Sequence, residues 1–148
     1  MAKVKDILAL KGSDVVTMVA DDAVVTAARL MNSRGIGGVI VLDDDEVVGI
    51  FTERDVMRRV VAERLDPVTT IIRDVMTSPV MTCRPEAKID ECVALMTEKR
   101  VRHLPVIDDS GLCGIITTGD ILAHQAEEQA DTIEHLNRYV FDTRPVAP

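Results

Sequence analysis

The sequence predicts an α/β fold of the α+β type, two β-α-β-β-α units packed with pseudo-two-fold symmetry. Three observations lead there. The frame G-I-x-T-x-x-D is written twice, as "GIFTERD" from Gly49 to Asp55 and as "GIITTGD" from Gly114 to Asp120. A shift of 65 residues, the step from Asp55 to Asp120, holds register without a gap from Val16 to Met57. It pairs Thr17 with Thr82, Leu30-Met31 with Leu95-Met96, Val41 with Val106, and Asp43-Asp44 with Asp108-Asp109. Finally, a unit of about 50 residues is too small to stabilise itself comfortably, so two copies packed sheet against sheet are expected.

Each copy opens on a short run read as a strand, Val16–Val19 and Val80–Arg84. An acidic start, Asp21-Asp22 or Glu86, leads into a helix with apolar positions at helical spacing. These are Val24, Ala27, Ala28 and Met31, then Ile89, Cys92, Val93 and Met96; Gly35 marks the first helix's stop. Two β-branched strands follow, "VIVL" and "VVGIFT" joined by "DDDE", then "LPVI" and "LCGIIT" joined by "DDSG". A second helix begins at Thr52 and at Thr117. The stretch "RRVVAERLDPVTTI" is expected to continue the first copy's helix and to end before Pro67. "KDIL" at Lys5–Leu8 echoes "RDVM" at Arg73–Met76 and precedes each copy as a lead-in. Residues 1–66 therefore read as the first repeat with its lead-in segment and linker helix, and 67–127 as the second repeat. Residues 128–148 read as a C-terminal helix extension whose "RPVAP" end frays. Ile121, Leu122, Ile133, Leu136 and Val140 offer that helix an apolar seam, while Met31, Met96, Val41 and Val106 are expected in the core.

Composition removes several classes of function. The 47% hydrophobic content suffices for a packed core, and a net charge of −8 repels nucleic acid and anionic membranes. An anionic ligand would need local cations or backbone dipoles. Aromatic residues make up 2%, too few for base-stacking platforms. Cys83, Cys92 and Cys113 form no C-x-x-C and meet no paired histidines, so neither zinc nor a disulfide framework is expected. They read as small buried thiols of a reducing compartment. No apolar run is long enough for a membrane span, and "MAKVKDILAL" is broken by Asp6 with no cleavage site after it. A cytoplasmic protein is expected. There is no G-x-S-x-G, H-E-x-x-H or Walker loop, "RGIGG" precedes a strand, and Cys83 and Cys113 lack an evident base. No catalytic domain is seen at either end, so no catalytic residue and no enzymatic activity are expected.

The repeated frame admits two uses. A threonine at the N-cap with an acidic residue three later forms a capping-box-like start, and the aspartate suits the helix dipole. The same aspartate can accept both hydroxyls of a ribose diol, with the nearby helix end favouring phosphate. Glycine at the start of the frame leaves room for close approach of another backbone.

Taken together, the two frames, the "KDIL"/"RDVM" echo and "RHLPVI" before the acidic turn resemble a tandem pair of CBS domains, the Bateman module. The resemblance runs from Val4 to about Ala126. It implies adenosine-bearing ligands in clefts between the repeats: AMP, ADP or ATP, with NAD(H) and S-adenosylmethionine as alternatives, and no obligatory cofactor. It places the ribose on Asp55 with Thr52 in one site and on Asp120 with Thr117 in the other. Adenine walls are implied within each copy. They are Val16, Thr17 and Val19 with Gly38, Val39 and Ile40, and Val80, Thr82 and Arg84 with His103, Leu104 and Pro105.

Where phosphate charge matters the copies diverge. Copy one has Arg54 inside its frame, whereas copy two has Gly119 there and Arg102-His103 ahead of its strand. One cationic group is thus expected per cleft, with unequal affinities and a second site that tightens as pH falls. Lys99 and Arg100 read as partners of a helix dipole, and His124 and His135 as surface residues. The expected function is regulatory: a homodimeric energy or redox sensor that acts on an unidentified protein through ligand-dependent conformational change. The alternative is a homodimeric interaction scaffold of the same fold with empty clefts.

Overall fold

The computed structural model describes residues 2–140, without the side chains of 131–140. The side chains of the seam positions Ile133, Leu136 and Val140 and of His135, together with the whole "RPVAP" end, lie outside what is described. In the first repeat, β1 (Thr17–Val19) leads to α2 (Val24–Arg34), β2 (Gly38–Asp43), β3 (Glu46–Thr52) and α3 (Glu53–Asp55). Ahead of it lies α1 (Val4–Lys11). In the second repeat, α4 (Ile72–Val75) precedes α5 (Ile89–Lys99), β4 (His103–Asp108), β5 (Gly111–Thr117) and α6 (Thr118–Val140).

β1 pairs parallel with β2, and β2 antiparallel with β3; β4 and β5 form an antiparallel pair. The duplication holds at the level of register. Met18 faces Val41 where Cys83 faces Val106, and the bulges at Val41/Leu42 and Val106/Ile107 coincide under the 65-residue shift. The β2–β3 turn passes through Asp44 and Asp45 with φ of 49° and 63°, a left-handed conformation that aspartate tolerates.

The second copy's expected strand over Val80–Arg84 does not form, and only Cys83 bridges β4. In the first copy the Ile40 N–H donates to the Val16 carbonyl at 3.2 Å. The matching position in the second copy is Pro105, which has no N–H, so that pairing is lost. The linker continues the helix and ends before Pro67, but in a different helical form. α3 continues as a π-helical stretch (Val56–Val61) that stops well before Pro67, with Arg64 at φ 59°. Of the expected apolar helix positions, Val93 is exposed and Ala28 only half-buried, whereas Met31, Met96, Val41 and Val106 are all in the core.

The lead-in segments are exchanged. Val4 and Ile7 of α1 pack with Ile89, Met96, Leu104 and Ile116 of the second repeat. There the Val4 N–H donates to the Ala87 carbonyl at 2.9 Å. Reciprocally, Ile72 and Val75 of α4 pack with Val24, Val41 and Phe51 of the first repeat, and the Val24 N–H donates to the Thr70 carbonyl at 2.9 Å. Pseudo-two-fold symmetry shows in this exchange. It shows again where the equivalent residues Gly38 and His103 meet: a Cβ on Gly38 would lie 3.4 Å from His103 Nε2.

Candidate functional site

β3 and β5 each end on a threonine that caps the next helix. The Asp55 N–H donates to Thr52 Oγ1 (3.4 Å) and the Thr52 N–H to Asp55 Oδ2 (3.0 Å). In the second copy the Thr117 N–H donates to Asp120 Oδ2 (2.9 Å) and the Asp120 N–H to Thr117 Oγ1 (3.1 Å). Both frames are therefore capping boxes. Their glycines serve packing against the lead-in segments. A Cβ on Gly49 would stand 2.8 Å from the Thr77 carbonyl oxygen, and one on Gly114 would stand 2.7 Å from Leu8 Cδ2.

Capping does not account for the cleft between the repeats, a volume of about 500 Å³. Thr52 and Asp55 line it from the first repeat, with Arg58 and Arg59 of the π-helical stretch. Val80 and Met81 line it from the second, and so do Lys99, Arg100, Arg102, His103 and Thr117. The lining thus crosses between copies. Val80 shares the cleft of Asp55, not that of Asp120, because the lead-in exchange carries segment 77–81 across to β3. There the Ile50 N–H donates to the Thr77 carbonyl (3.0 Å) and the Thr77 N–H to the Ile50 carbonyl (2.9 Å).

The cations were expected one to a cleft; the structure brings Arg54, Arg102 and His103 into the same one. Arg58, Arg59, Lys99 and Arg100 join them, and Arg100 and Lys99 are cleft residues as well as helix-end ones. Other expected wall residues are elsewhere. Thr17 and Val19 are exposed on β1, Val16 packs at the edge of the core, and Val39, Ile40, Leu104 and Pro105 are fully buried. Thr82 is exposed, and Arg84 is held by Asp109 (3.0 Å) outside the cleft. Thr77, Arg58, Arg59 and Lys11 were not anticipated.

The two carboxylates differ in environment. Asp55 is 5% exposed, accepts the Thr77 hydroxyl on Oδ1 (3.0 Å), and has Arg59 Nε at 3.7 Å. Asp120 instead meets the Lys11 ammonium of α1 at 2.6 Å, and Lys11 also donates to the Ile115 carbonyl (2.9 Å). Burial alone would raise the Asp120 carboxyl; the Lys11 ammonium and the Thr117 groups outweigh it and hold the carboxyl below its ordinary range. Burial pushes the His103 imidazole down, and nearby Arg102 and Lys11 add to this against Glu53 and Asp120. Its protonation therefore falls below the ordinary imidazole range. Contact with Cys92 and then burial push the Cys83 thiol up, and burial does the same to Cys113, which disfavours nucleophilic thiolates.

The CBS domain family matches the chain twice, over residues 4–62 and 72–127, and the chain belongs to that family. An uncharacterized protein of Methanopyrus kandleri is 38% identical over 128 residues, 85% of this chain and 65% of that protein. The mitochondrial CBS domain-containing protein CBSX3 of Arabidopsis thaliana is 33% identical over 125 residues, 81% of this chain. The chain spans 61% of its length, so both relatives are longer than the part they share with it. Among solved structures, a protein with CBS domains from Burkholderia ambifaria superimposes with a TM-score of 0.84 at 40% identity, covering 86% of this chain and 96% of that one. A CBS domain pair in complex with methylthioadenosine and S-adenosyl-L-methionine gives 0.76 at 25% identity, covering 86% and 98%. Among the described residues no helix is long and apolar enough to cross a membrane.

Proposed function

We propose that the protein is a regulatory module that binds one adenosine nucleotide per chain in the cleft at Asp55. The observation that carries this reading is charge. In a chain of net charge −8, the cations Arg54, Arg58, Arg59, Lys99, Arg100 and Arg102 all line one cleft and outnumber its carboxylates, Glu53 and the buried Asp55. Like charges gathered in this way repel one another until an anion joins them, and the chain's net negative charge disfavours an anion elsewhere. An ionised carboxylate offers about four acceptor positions, so Asp55 has capacity left for a ligand hydroxyl after its internal bonds. The methylthioadenosine and S-adenosylmethionine complex of a similar pair supports adenosine as the nucleoside.

Binding couples to regulation through the cleft's construction. Its two walls come from different repeats, and the Arg54 guanidinium already reaches the Arg100 carbonyl at 3.3 Å. A ligand that draws the walls together changes the relation of the repeats, which a partner protein can read without chemistry at this site. A homodimer fits the exposed apolar side chains of Met57, Val61, Val93 and Leu122. A second reading, the same homodimer as an empty scaffold, is favoured only by the capping boxes, which by themselves account for both threonine–aspartate pairs. Thermal denaturation with adenosine, AMP, ADP, ATP, NAD and S-adenosylmethionine separates the two. A ligand specific to the native state raises Tm by mass action; a scaffold responds to none.

A further inference from the structure

Helix α5 ends on Arg100 at φ 55° and ψ 39°, whereas its twin α2 ends on Gly35 at φ 63° and ψ 37°. The two copies make the same left-handed turn, one with glycine and one with arginine. A side chain there crowds its Cβ against the backbone, a strain glycine escapes. Packing does not explain the choice, because Arg100 is exposed. Nor does a carboxylate. Among the described residues Arg54, Arg58, Lys99, Arg100 and Arg102 form no ion pair, although Arg73 and Arg84 elsewhere are each doubly paired. Strain in the backbone and unpaired charge thus coincide at one residue on the edge of the cleft.

A groove adjoins the cleft there. Arg54, Arg58, Arg100 and Arg102 line both, and the groove continues along Met96, Ile121 and Leu122 away from Asp55. Their positive charge therefore extends outward from the nucleoside end. A monophosphate brings at most about two negative charges, too few for this many unpaired cations. Resting on the nucleotide reading above, we propose that the cleft selects an adenosine polyphosphate over the monophosphate, and that Arg100 is the residue that reads the outer phosphates. Arginine suits that role because it grips phosphate through two parallel hydrogen bonds.

The variant Arg100→Gly tests this cleanly, since glycine relaxes the turn while removing the cation. Calorimetric titrations with AMP and ATP in magnesium-free buffer give the affinity ratio, and inorganic tripolyphosphate probes the phosphate chain alone. The parent is expected to prefer ATP to AMP by about tenfold or more, the scale of one charged hydrogen-bonding group. In Arg100→Gly that ratio falls towards one and the Tm shift with tripolyphosphate shrinks, even as the unliganded Tm rises. A merely structural arginine would move Tm and leave the ratio alone. An unchanged ratio in the variant, or a parent that binds AMP as tightly as ATP, overturns the proposal. If no adenosine compound binds but tripolyphosphate does, and more weakly in Arg100→Gly, the adenosine reading fails and the role of Arg100 stands; equal tripolyphosphate binding by the variant removes that role as well. If tripolyphosphate and ATP both fail to bind, the inference falls.

Discussion

The Lys11 ammonium lies 2.6 Å from Asp120, whereas the equivalent Asp55 carboxylate receives the hydroxyl of Thr77. This difference adds to the one between Arg54 and Gly119 in setting the two copies of the frame apart. Lys11 sits at the end of α1, whose exchange onto the second repeat delivers its side chain to Asp120. The second carboxylate is paired with a cation from within the chain, whereas the first, 5% exposed, meets the neutral Thr77 hydroxyl and has Arg59 at 3.7 Å; on the proposed reading the first is the one that takes a ligand. Replacing the ammonium by a group of similar shape and no charge, Lys11→Met, is expected to free Asp120 and raise the stoichiometry of nucleotide binding from one towards two per chain. Lys11→Arg keeps the pair and stays at one. Calorimetric stoichiometry checks this.

The pair also fixes a dependence of stability on pH. The Asp120 carboxyl is depressed in the folded chain relative to its ordinary value of 3.8, so the unfolded chain binds the proton more readily. Its contribution is present above about pH 4 and is lost as pH falls through the folded value. Thermal melts of the parent are expected to lose Tm more steeply below about pH 4 than those of Asp120→Asn. Parallel curves for the two would remove the ion pair from the account.

The two frame glycines are expected to differ in tolerance. A Cβ at Gly49 meets the carbonyl oxygen of Thr77, a residue whose backbone is held to Ile50 by two hydrogen bonds. At Gly114 the obstacle is the end of the Leu8 side chain, which can rotate away. Gly49→Ala is therefore expected to destabilise by about 1–3 kcal/mol, and Gly114→Ala by less. Urea denaturation of both variants gives the order directly.

Elements and caps were readable from the residues because their signals are local. The threonine–aspartate caps, the Gly35 stop and the acidic turns are each settled within a few positions, and the 65-residue shift carried them from one copy to the other. Assignment of walls to clefts was not readable. In a duplicated chain each lead-in segment has two nearly equivalent surfaces to pack on, and only tertiary packing decides that α1 and α4 exchange. That exchange moved Val80 beside Asp55 and Lys11 beside Asp120. The lost strand in the second copy had a signal in Pro105, aligned with the N–H donor Ile40. Arg100 had one too, because the same alignment sets it opposite a helix-stop glycine.

Titration of ATP into the parent, Asp55→Asn and Asp120→Asn tests the central claim most directly. Asp55→Asn retains the side chain's shape and much of its capping capacity while removing the charge. One ATP per chain is expected in the parent and in Asp120→Asn, with affinity lowered about tenfold or more in Asp55→Asn. Undiminished binding by Asp55→Asn, or its loss in Asp120→Asn instead, would contradict a single nucleotide site at Asp55.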